Sequence, residues 1–206
     1  MLLREEKYLQ VGREIKALVG GRQLVLASSS PRRKQILTEM GIEPVIRSSD
    51  IDEHLNSSPP ELHVKKYALE KAKMVSSQFQ QGLIMGADTV VVFENQVLGK
   101  PKGKGEAFQM LNLLSGKTHT VFTGVALINL CNHKEATGFQ VTRVRFNSLS
   151  RQKIEEYLET GEYADKAGAY GIQGMGSFLV KEIKGDLDNV IGLPLATVGN
   201  LLREVL

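Results

Sequence analysis

The segment that most constrains this chain is 24–41, in which a short apolar run is followed by three serines, a proline and a basic amphipathic stretch. Residues 24–27 are apolar and partly β-branched, which is typical of a buried strand. Ser30 is a favourable N-cap, Pro31 is a favourable first helical residue, and apolar residues then recur at helical spacing. The segment therefore predicts a strand, a tight serine turn and a helix whose first turn carries two arginines.

These arginines, Arg32 and Arg33, are placed unfavourably for the helix itself, because a helix N-terminus already carries the positive end of the dipole. They become favourable when a multiply charged anion binds at the turn, since guanidinium groups match phosphate oxygens. A solvated Arg-Arg-Lys run on a surface helix is the alternative. The hydroxyls of Ser28 and Ser30, together with the apolar strand before them, favour an anion site.

The composition excludes several other kinds of protein. The chain has 206 residues, is 42% hydrophobic and carries a net charge of +3. Its charges are interspersed, without the basic stripe typical of a nucleic-acid-binding protein. A single cysteine excludes a disulfide framework and fits a reducing, cytoplasmic setting. No apolar run approaches the ~20 residues of a membrane span, so we expect neither a nucleic-acid nor a membrane partner.

The pattern of elements predicts an α/β protein. Residues 1–21 predict a helical extension that ends at a glycine pair, and residues 22–206 predict one domain with enough apolar residues for two lobes. Residues 61–81 have helical spacing, and two long alternating segments, 119–130 and 139–146, predict a β-hairpin.

Two groups of carboxylates are candidates for chemistry. Residues 83–93 predict a central strand, yet Asp88 interrupts it, and a buried carboxylate is costly unless it is paired or bound to a metal. Asp88 and its neighbour Thr89 are therefore candidate site residues, with a strand end or bulge as the alternative. The acidic segment 50–53, which contains Asp52, is either a solvated loop or part of a metal site.

Two lysines and a glycine-rich segment complete the candidate set. Lys71 points the way the apolar face of its helix points, so it either extends to the edge of the core or enters a cleft. Lys100 follows a short return strand, so we expect it to lie within reach of the Asp88 region. The segment 162–176 contains Gln173 and several glycines, a composition that favours close approach to a ligand over a flexible linker.

Together these groups could promote the attack of a water molecule on a nucleoside polyphosphate. The basic side chains could bind phosphates, the carboxylates could hold Mg²⁺, and an amide such as Gln173 could hydrogen-bond a base edge.

Several motifs occur in this order: ASSSPRR at 27–33, GADTV at 86–90, GKP at 99–101, LLSG and VFTG at 113–116 and 121–124, and DKAGAYGIQG at 165–174. They resemble the Maf family of nucleoside triphosphate pyrophosphatases, over about residues 24–205. The resemblance implies a two-lobed mixed β-sheet with flanking helices, related to inosine triphosphate pyrophosphatases. It also implies hydrolysis of a nucleoside triphosphate to the monophosphate and pyrophosphate with a divalent metal cation, Mg²⁺ or Mn²⁺. A homodimer is compatible with the resemblance.

The resemblance also assigns roles to residues of this chain. It places the catalytic aspartate, as base or metal ligand, on Asp88 and the catalytic lysines on Lys71 and Lys100. The phosphate contacts fall on the Ser28–Ser30 turn and on Arg33. The acidic loop position, often glutamate in the family, is Asp52 here, with a role in positioning metal or water.

Three further positions imply a substrate class. Arg32, Thr89 and Gln173 match the branch that resembles dTTP/UTP pyrophosphatases. The implied substrates are dTTP and UTP, with CTP and modified pyrimidine nucleotides as further candidates, and the implied role is nucleotide-pool sanitation. The alternative function is a non-catalytic, nucleotide-binding regulator of cell division.

Overall fold

The computed structural model describes residues 2–49, 51 and 59–206, with side chains from Leu9 onward. The predicted site residue Asp52 lies outside the described residues. Two short 3₁₀ helices occupy Ala167–Ala169 and Gly174–Leu179. The other elements are, in chain order, α1 (Leu2–Val19), β1 (Leu24–Ala27), α2 (Pro31–Glu39), β2 (Val45–Ile46), α3 (Pro60–Ser76), β3 (Leu83–Phe93), β4 (Gln96–Leu98), α4 (Lys104–Leu114), β5 (Thr118–Asn129), β6 (Lys134–Phe146), α5 (Arg151–Glu159), β7 (Val180–Lys184), α6 (Leu187–Ile191) and α7 (Leu195–Val205).

The strands form one mixed sheet in the order β2-β1-β3-β5-β6-β7, with β4 paired to β3. The pairs β1–β2 and β1–β3 are parallel, and the remaining pairs are antiparallel. The predicted α/β class, with a mixed sheet and flanking helices, is confirmed. The predicted strand 83–93 and the predicted hairpin are also observed, as β3 and as β5 with β6.

Three apolar clusters divide the core. Around β1 and β3, one face of the sheet packs on α1, α2 and α7, and the opposite face packs on α3. At the other end of the sheet, α4 and α5 pack on β3 to β6. Ile15 of α1 is fully buried, so the N-terminal helix contributes to the first cluster. In the described part of the chain, we find no helix with the length and hydrophobicity needed to span a bilayer.

Some predicted boundaries are wrong. The helix predicted over 61–81 ends at Ser76, directly after Val75, its last fully buried apolar residue. The strand predicted from 139 begins at Lys134, because its pairing with β5 continues to the turn. Helix α6 was not predicted.

Candidate active site

A cleft lies where β3 has no neighbouring strand on one side. β1 pairs with β3 only as far as Gly86, and β4 begins to pair with β3 at Val91. Side chains from both flanks of this gap and from the glycine-rich segment line a cleft that is open to solvent. Its described lining has five cations and two carboxylates, which favours an anionic ligand: Arg32, Arg33, Lys71, Lys100, Lys166, Asp88 and Asp165.

We divide the lining into two groups by burial. The inner wall is mostly buried and comprises Ser28, Arg33, Lys71, Asp88 and Thr89. The outer wall is partly or fully exposed and comprises Arg32, Lys100, Asp165, Lys166 and Gln173.

The serine turn forms as the sequence predicts. Ser30 precedes α2 in an extended conformation, and its hydroxyl makes no cap hydrogen bond to the helix. Its backbone N–H donates to Ser28 Oγ at 3.2 Å. The Ser30 hydroxyl and the first N–H groups of α2 therefore lie at the cleft, where a phosphate could accept from them.

Arg33 joins three parts of the chain at the inner wall. Its Nη1 donates to Ser28 Oγ at 2.9 Å, its Nε to Gly192 O at 2.8 Å and its Nη2 to Thr89 Oγ1 at 3.0 Å. Its side chain is buried, so the charge-assisted bonds to Ser28 and Gly192 are protected from water, and the bond to Thr89 is partly protected. Arg33 thereby holds the serine turn against β3 and against the connection between α6 and α7.

Thr89 connects the hydrogen bonds of Arg33 to Thr123 on strand β5. Thr123 donates its hydroxyl proton to Asn189 O at 2.8 Å, so the 3.0 Å contact between Thr89 and Thr123 requires Thr89 as the donor. Thr89 also accepts from Arg33. The only hydroxyl proton of Thr89 is therefore donated inside the protein. Thr89 cannot donate a hydrogen bond to a ligand and can only accept one.

Two glycines bring α3 close enough to place a lysine on Asp88. A Cβ at Gly86 would lie 2.0 Å from Ala68 O, and a Cβ at Gly124 would lie 2.3 Å from Val64 O. Only glycine permits this approach of helix and sheet. Lys71 Nζ consequently lies 2.7 Å from Asp88 Oδ1, with both side chains buried.

Asp88 lies within a continuous strand, opposite Gly124, and not at a bulge. Its second oxygen, Oδ2, is buried and has no hydrogen-bond partner among the described residues. His63 Nε2 lies 4.0 Å from this oxygen. Sequence reasoning missed His63, although His63 and Lys71 are two helical turns apart on one face of α3.

The outer wall is built around the glycine-rich segment Glu162–Gly176, which we call the glycine loop. The Gly168 N–H donates to Gly99 O at 3.0 Å, so the loop lies beside Lys100. Arg32 Nη1 donates to both oxygens of Asp165, at 3.2 and 3.4 Å. Gln173 is exposed and contributes to the lining of the cleft.

Two further outer-wall residues, Asp165 and Lys166, begin the motif 165–174, but neither of them was assigned a role from the sequence. Lys166 Nζ lies 2.7 Å from Asp165 Oδ1. Burial raises the pKa of Asp165, but the Lys166 hydrogen bond and the Arg32 charge outweigh burial and lower the pKa overall. The sequence feature that could have identified them is an acidic and a basic residue side by side, shortly before the first glycine of the segment.

Tyr170 fixes the glycine loop to the core. Its hydroxyl lies 2.8 Å from His119 Nε2, and both rings pack edge-on against Phe146. Burial lowers the pKa of His119 to about 4 and raises the pKa of Tyr170, so the pair is neutral at physiological pH. The loop is therefore held by a dry aromatic cluster while its other side faces the cleft.

This geometry places every predicted site residue of the described part of the chain at one cleft. The sequence profile of the Maf family, described as Maf-like protein, matches residues 23–205. The chain belongs to the Maf family.

Similar Maf proteins are found in several bacteria. A dTTP/UTP pyrophosphatase of Clostridioides difficile (strain 630) is 47% identical over 182 residues, which cover 88% of this chain and 94% of the relative. One of Alkaliphilus oremlandii (strain OhILAs) is 49% identical over 186 residues, covering 89% and 96%. One of Symbiobacterium thermophilum is 48% identical over 184 residues, covering 88% and 93%.

The Maf cleft offers one buried carboxylate oxygen to a divalent cation. No group of three or more histidine, cysteine or acidic side chains within 2–49, 51 and 59–206 could hold a metal. Mg²⁺, however, is commonly held by one or two carboxylates together with substrate phosphates. The buried oxygen Asp88 Oδ2 suits this mode of binding.

Proposed function

We propose that the protein is a nucleoside triphosphate pyrophosphatase that converts dTTP and UTP to the monophosphate and pyrophosphate. The observation that carries the proposal is the buried Lys71–Asp88 pair at the floor of a cationic cleft. Membership of the Maf family and the names of the curated relatives support the reaction and the two substrates.

The triphosphate would bind along the cationic lining. The Ser28–Ser30 turn and Arg33 offer donors at one flank of the gap in β3, and Lys100 offers an ammonium group at the other. Arg33 is already oriented by three hydrogen bonds, so little side-chain entropy is lost when phosphate binds beside it. Prearranged positive charge of this kind stabilises the negative charge that develops on the phosphates.

Asp88 would orient a water molecule toward the α-phosphorus and accept its proton. The new P–O bond forms at the α-phosphorus, the bond from that phosphorus to the bridging oxygen breaks, and pyrophosphate leaves. Lys71 donates to Oδ1, which leaves Oδ2 for water or for a cation. Lys71 thus keeps the carboxylate in one orientation in a buried site.

Asp88 would also be a ligand of a divalent cation, Mg²⁺ or Mn²⁺, with Asp52 of the acidic loop as the second candidate. The cation would supply neutralising charge to the phosphate oxygens. Arg32, Thr89 and Gln173 would surround the base. CTP and modified pyrimidine nucleotides are further candidate substrates, in keeping with a role in nucleotide-pool sanitation.

The test is to measure pyrophosphate release from a panel of natural and modified triphosphates, with Mg²⁺, with Mn²⁺ and with a chelator. We expect release to be fastest from dTTP and UTP and to stop when the metal is chelated. Tight nucleotide binding without pyrophosphate release would overturn the proposal in favour of a non-catalytic nucleotide-binding regulator.

A further inference from the structure

One ion pair crosses the mouth of the cleft. Arg32 lies in the first turn of α2, and its guanidinium donates to both carboxylate oxygens of Asp165 in the glycine loop. These hydrogen bonds join α2 to the loop. The Arg32–Asp165 pair therefore spans the mouth of the cleft from α2 to the loop.

The glycine loop is fixed independently of Arg32. The Gly171 N–H donates to the Tyr157 hydroxyl at 3.0 Å, and the Met175 N–H donates to Glu162 Oε1 at 3.2 Å. The Lys166 ammonium donates to Glu162 O. Because the loop already has these contacts, Asp165 is the fixed member of the pair and Arg32 is the side chain that it positions.

Asp165 is an acidic residue in a cleft whose charged side chains are mostly basic, so its presence there calls for an explanation. Asp165 contacts both Arg32 and Lys166, and its side chain is 51% exposed. Its contacts keep it ionised, and its charge neutralises one of the two neighbouring cations, which weakens the attraction of a phosphate tail to this end of the cleft. The base of a bound nucleotide would then lie at the outer wall, between the Arg32–Asp165 pair and Gln173.

We propose that Asp165 is a specificity-determining positioning residue that holds Arg32 across the mouth of the cleft and so restricts the base subsite to a pyrimidine. The inference rests on the proposed function and deepens it. The second ring of a purine would have to displace the guanidinium, whereas a single ring fits beside it.

The experiment compares two ligands that share the same tail, the α,β-imido analogues of dUTP and dGTP. The tail contributes equally to both dissociation constants, so their ratio reports on the base subsite. In Asp165→Asn, which keeps the shape of the side chain, we expect the preference for the pyrimidine analogue to fall about fivefold, as suits a partly exposed ion pair. An unchanged ratio would overturn the inference.

A double-mutant cycle tests whether Asp165 acts through Arg32. The variant Arg32→Gln should lower the same ratio, and adding Asp165→Asn to it should change the ratio no further. Multiplying effects would show that Asp165 acts without Arg32 and would contradict the positioning role. Glu159→Gln is the matched control, because it removes the exposed Lys104–Glu159 pair away from the cleft.

The dependence of the binding ratio on ionic strength provides a test that needs no variant. High ionic strength screens a partly exposed pair, so the ratio in the wild-type protein should move toward that of Asp165→Asn, and a constant ratio would count against the inference. Failure of the proposed function is a separate outcome, since it would appear as no pyrophosphate release by the wild-type protein. The binding ratio would still decide the role of Asp165.

Discussion

Arg32 and Arg33 are adjacent in sequence, yet they belong to opposite walls of the cleft. Arg33 is buried at the inner wall and donates to a serine, a threonine and a backbone carbonyl. Arg32 is partly exposed at the outer wall and donates to a carboxylate that is itself half-exposed. The inner wall is thus held by desolvated, charge-assisted bonds, and the outer wall by ion pairs that water and salt weaken.

This difference suggests that the inner and outer walls bind different parts of the nucleotide. A preorganised inner wall suits the phosphates and the reacting atoms, which every nucleoside triphosphate shares. A more exposed outer wall suits the base, which differs between substrates. Lys100, an outer-wall residue proposed to bind phosphate, and Thr89, an inner-wall residue proposed to lie near the base, are the exceptions. Other substitutions at the inner wall should therefore change rate and stability, and those at the outer wall should change selectivity.

The largest effect should come from Asp88→Asn. The amide keeps the shape of the side chain but cannot accept the proton of water or offer a charged oxygen to a cation. We expect kcat/KM to fall by roughly 10²–10⁴-fold while circular dichroism remains that of a folded protein. Asp186→Asn, outside the cleft lining, is the control; near-normal turnover by Asp88→Asn would remove the proposed mechanism.

Lys71→Met should separate stability from activity. It leaves the buried Asp88 carboxylate without its ammonium partner, which typically costs about 3–5 kcal/mol of unfolding free energy. The double variant Lys71→Met/Asp88→Leu removes both charges and should recover most of that stability in urea unfolding, without activity. If the single variant is as stable as the wild type, the pair does not hold the inner wall.

The two neighbouring arginines provide the most direct comparison. Arg33→Ala removes two buried hydrogen bonds and one partly buried one, and should lower the free energy of unfolding on the order of 3 kcal/mol. Arg32→Ala breaks a partly exposed pair and should cost less than about 1 kcal/mol. Urea midpoints measured side by side check this, and equal losses would erase the distinction between the walls.

His119 should make stability depend on pH. Its pKa is about 4 in the native state, below the ordinary value of 6.5, so only the unfolded state gains a proton between these values. Stability should therefore fall as pH falls from about 6.5 to about 4, by about 3 kcal/mol, and this contribution should not change below that range. His119→Phe should flatten this slope relative to the wild type, whereas His133→Asn, at an exposed histidine, should leave it intact.

The smallest effect is expected at the outer wall, for Gln173→Glu. A carboxylate accepts but cannot donate, so it loses a bond to a base carbonyl and gains one to an amino group. The preference for UTP over CTP should fall about tenfold, with a smaller change in the overall rate. Gln152→Glu on the exposed face of α5 is the control, and an unchanged substrate profile would argue against a base-reading role for Gln173.

Much of the fold could be predicted because its signals are local. The serine cap and proline located the start of α2, and the β-branched run located β3. The less accurate boundaries are those that depend on partners. The pairing of Lys134 with Asn129 extends β6 beyond its own hydrophobic pattern.

What the sequence determined by itself was the set of chemical groups: a serine turn with two arginines, and an acid in an apolar strand that needs a partner. The tertiary structure alone decided which groups meet. The bond from Arg33 to Gly192 spans 159 residues, that from Arg32 to Asp165 spans 133, and the pair Lys71–Asp88 depends on two glycines that admit α3 to the sheet. Local patterns report periodicity and capping, but burial and pairing arise only when distant segments pack, and these set the environment of each charge.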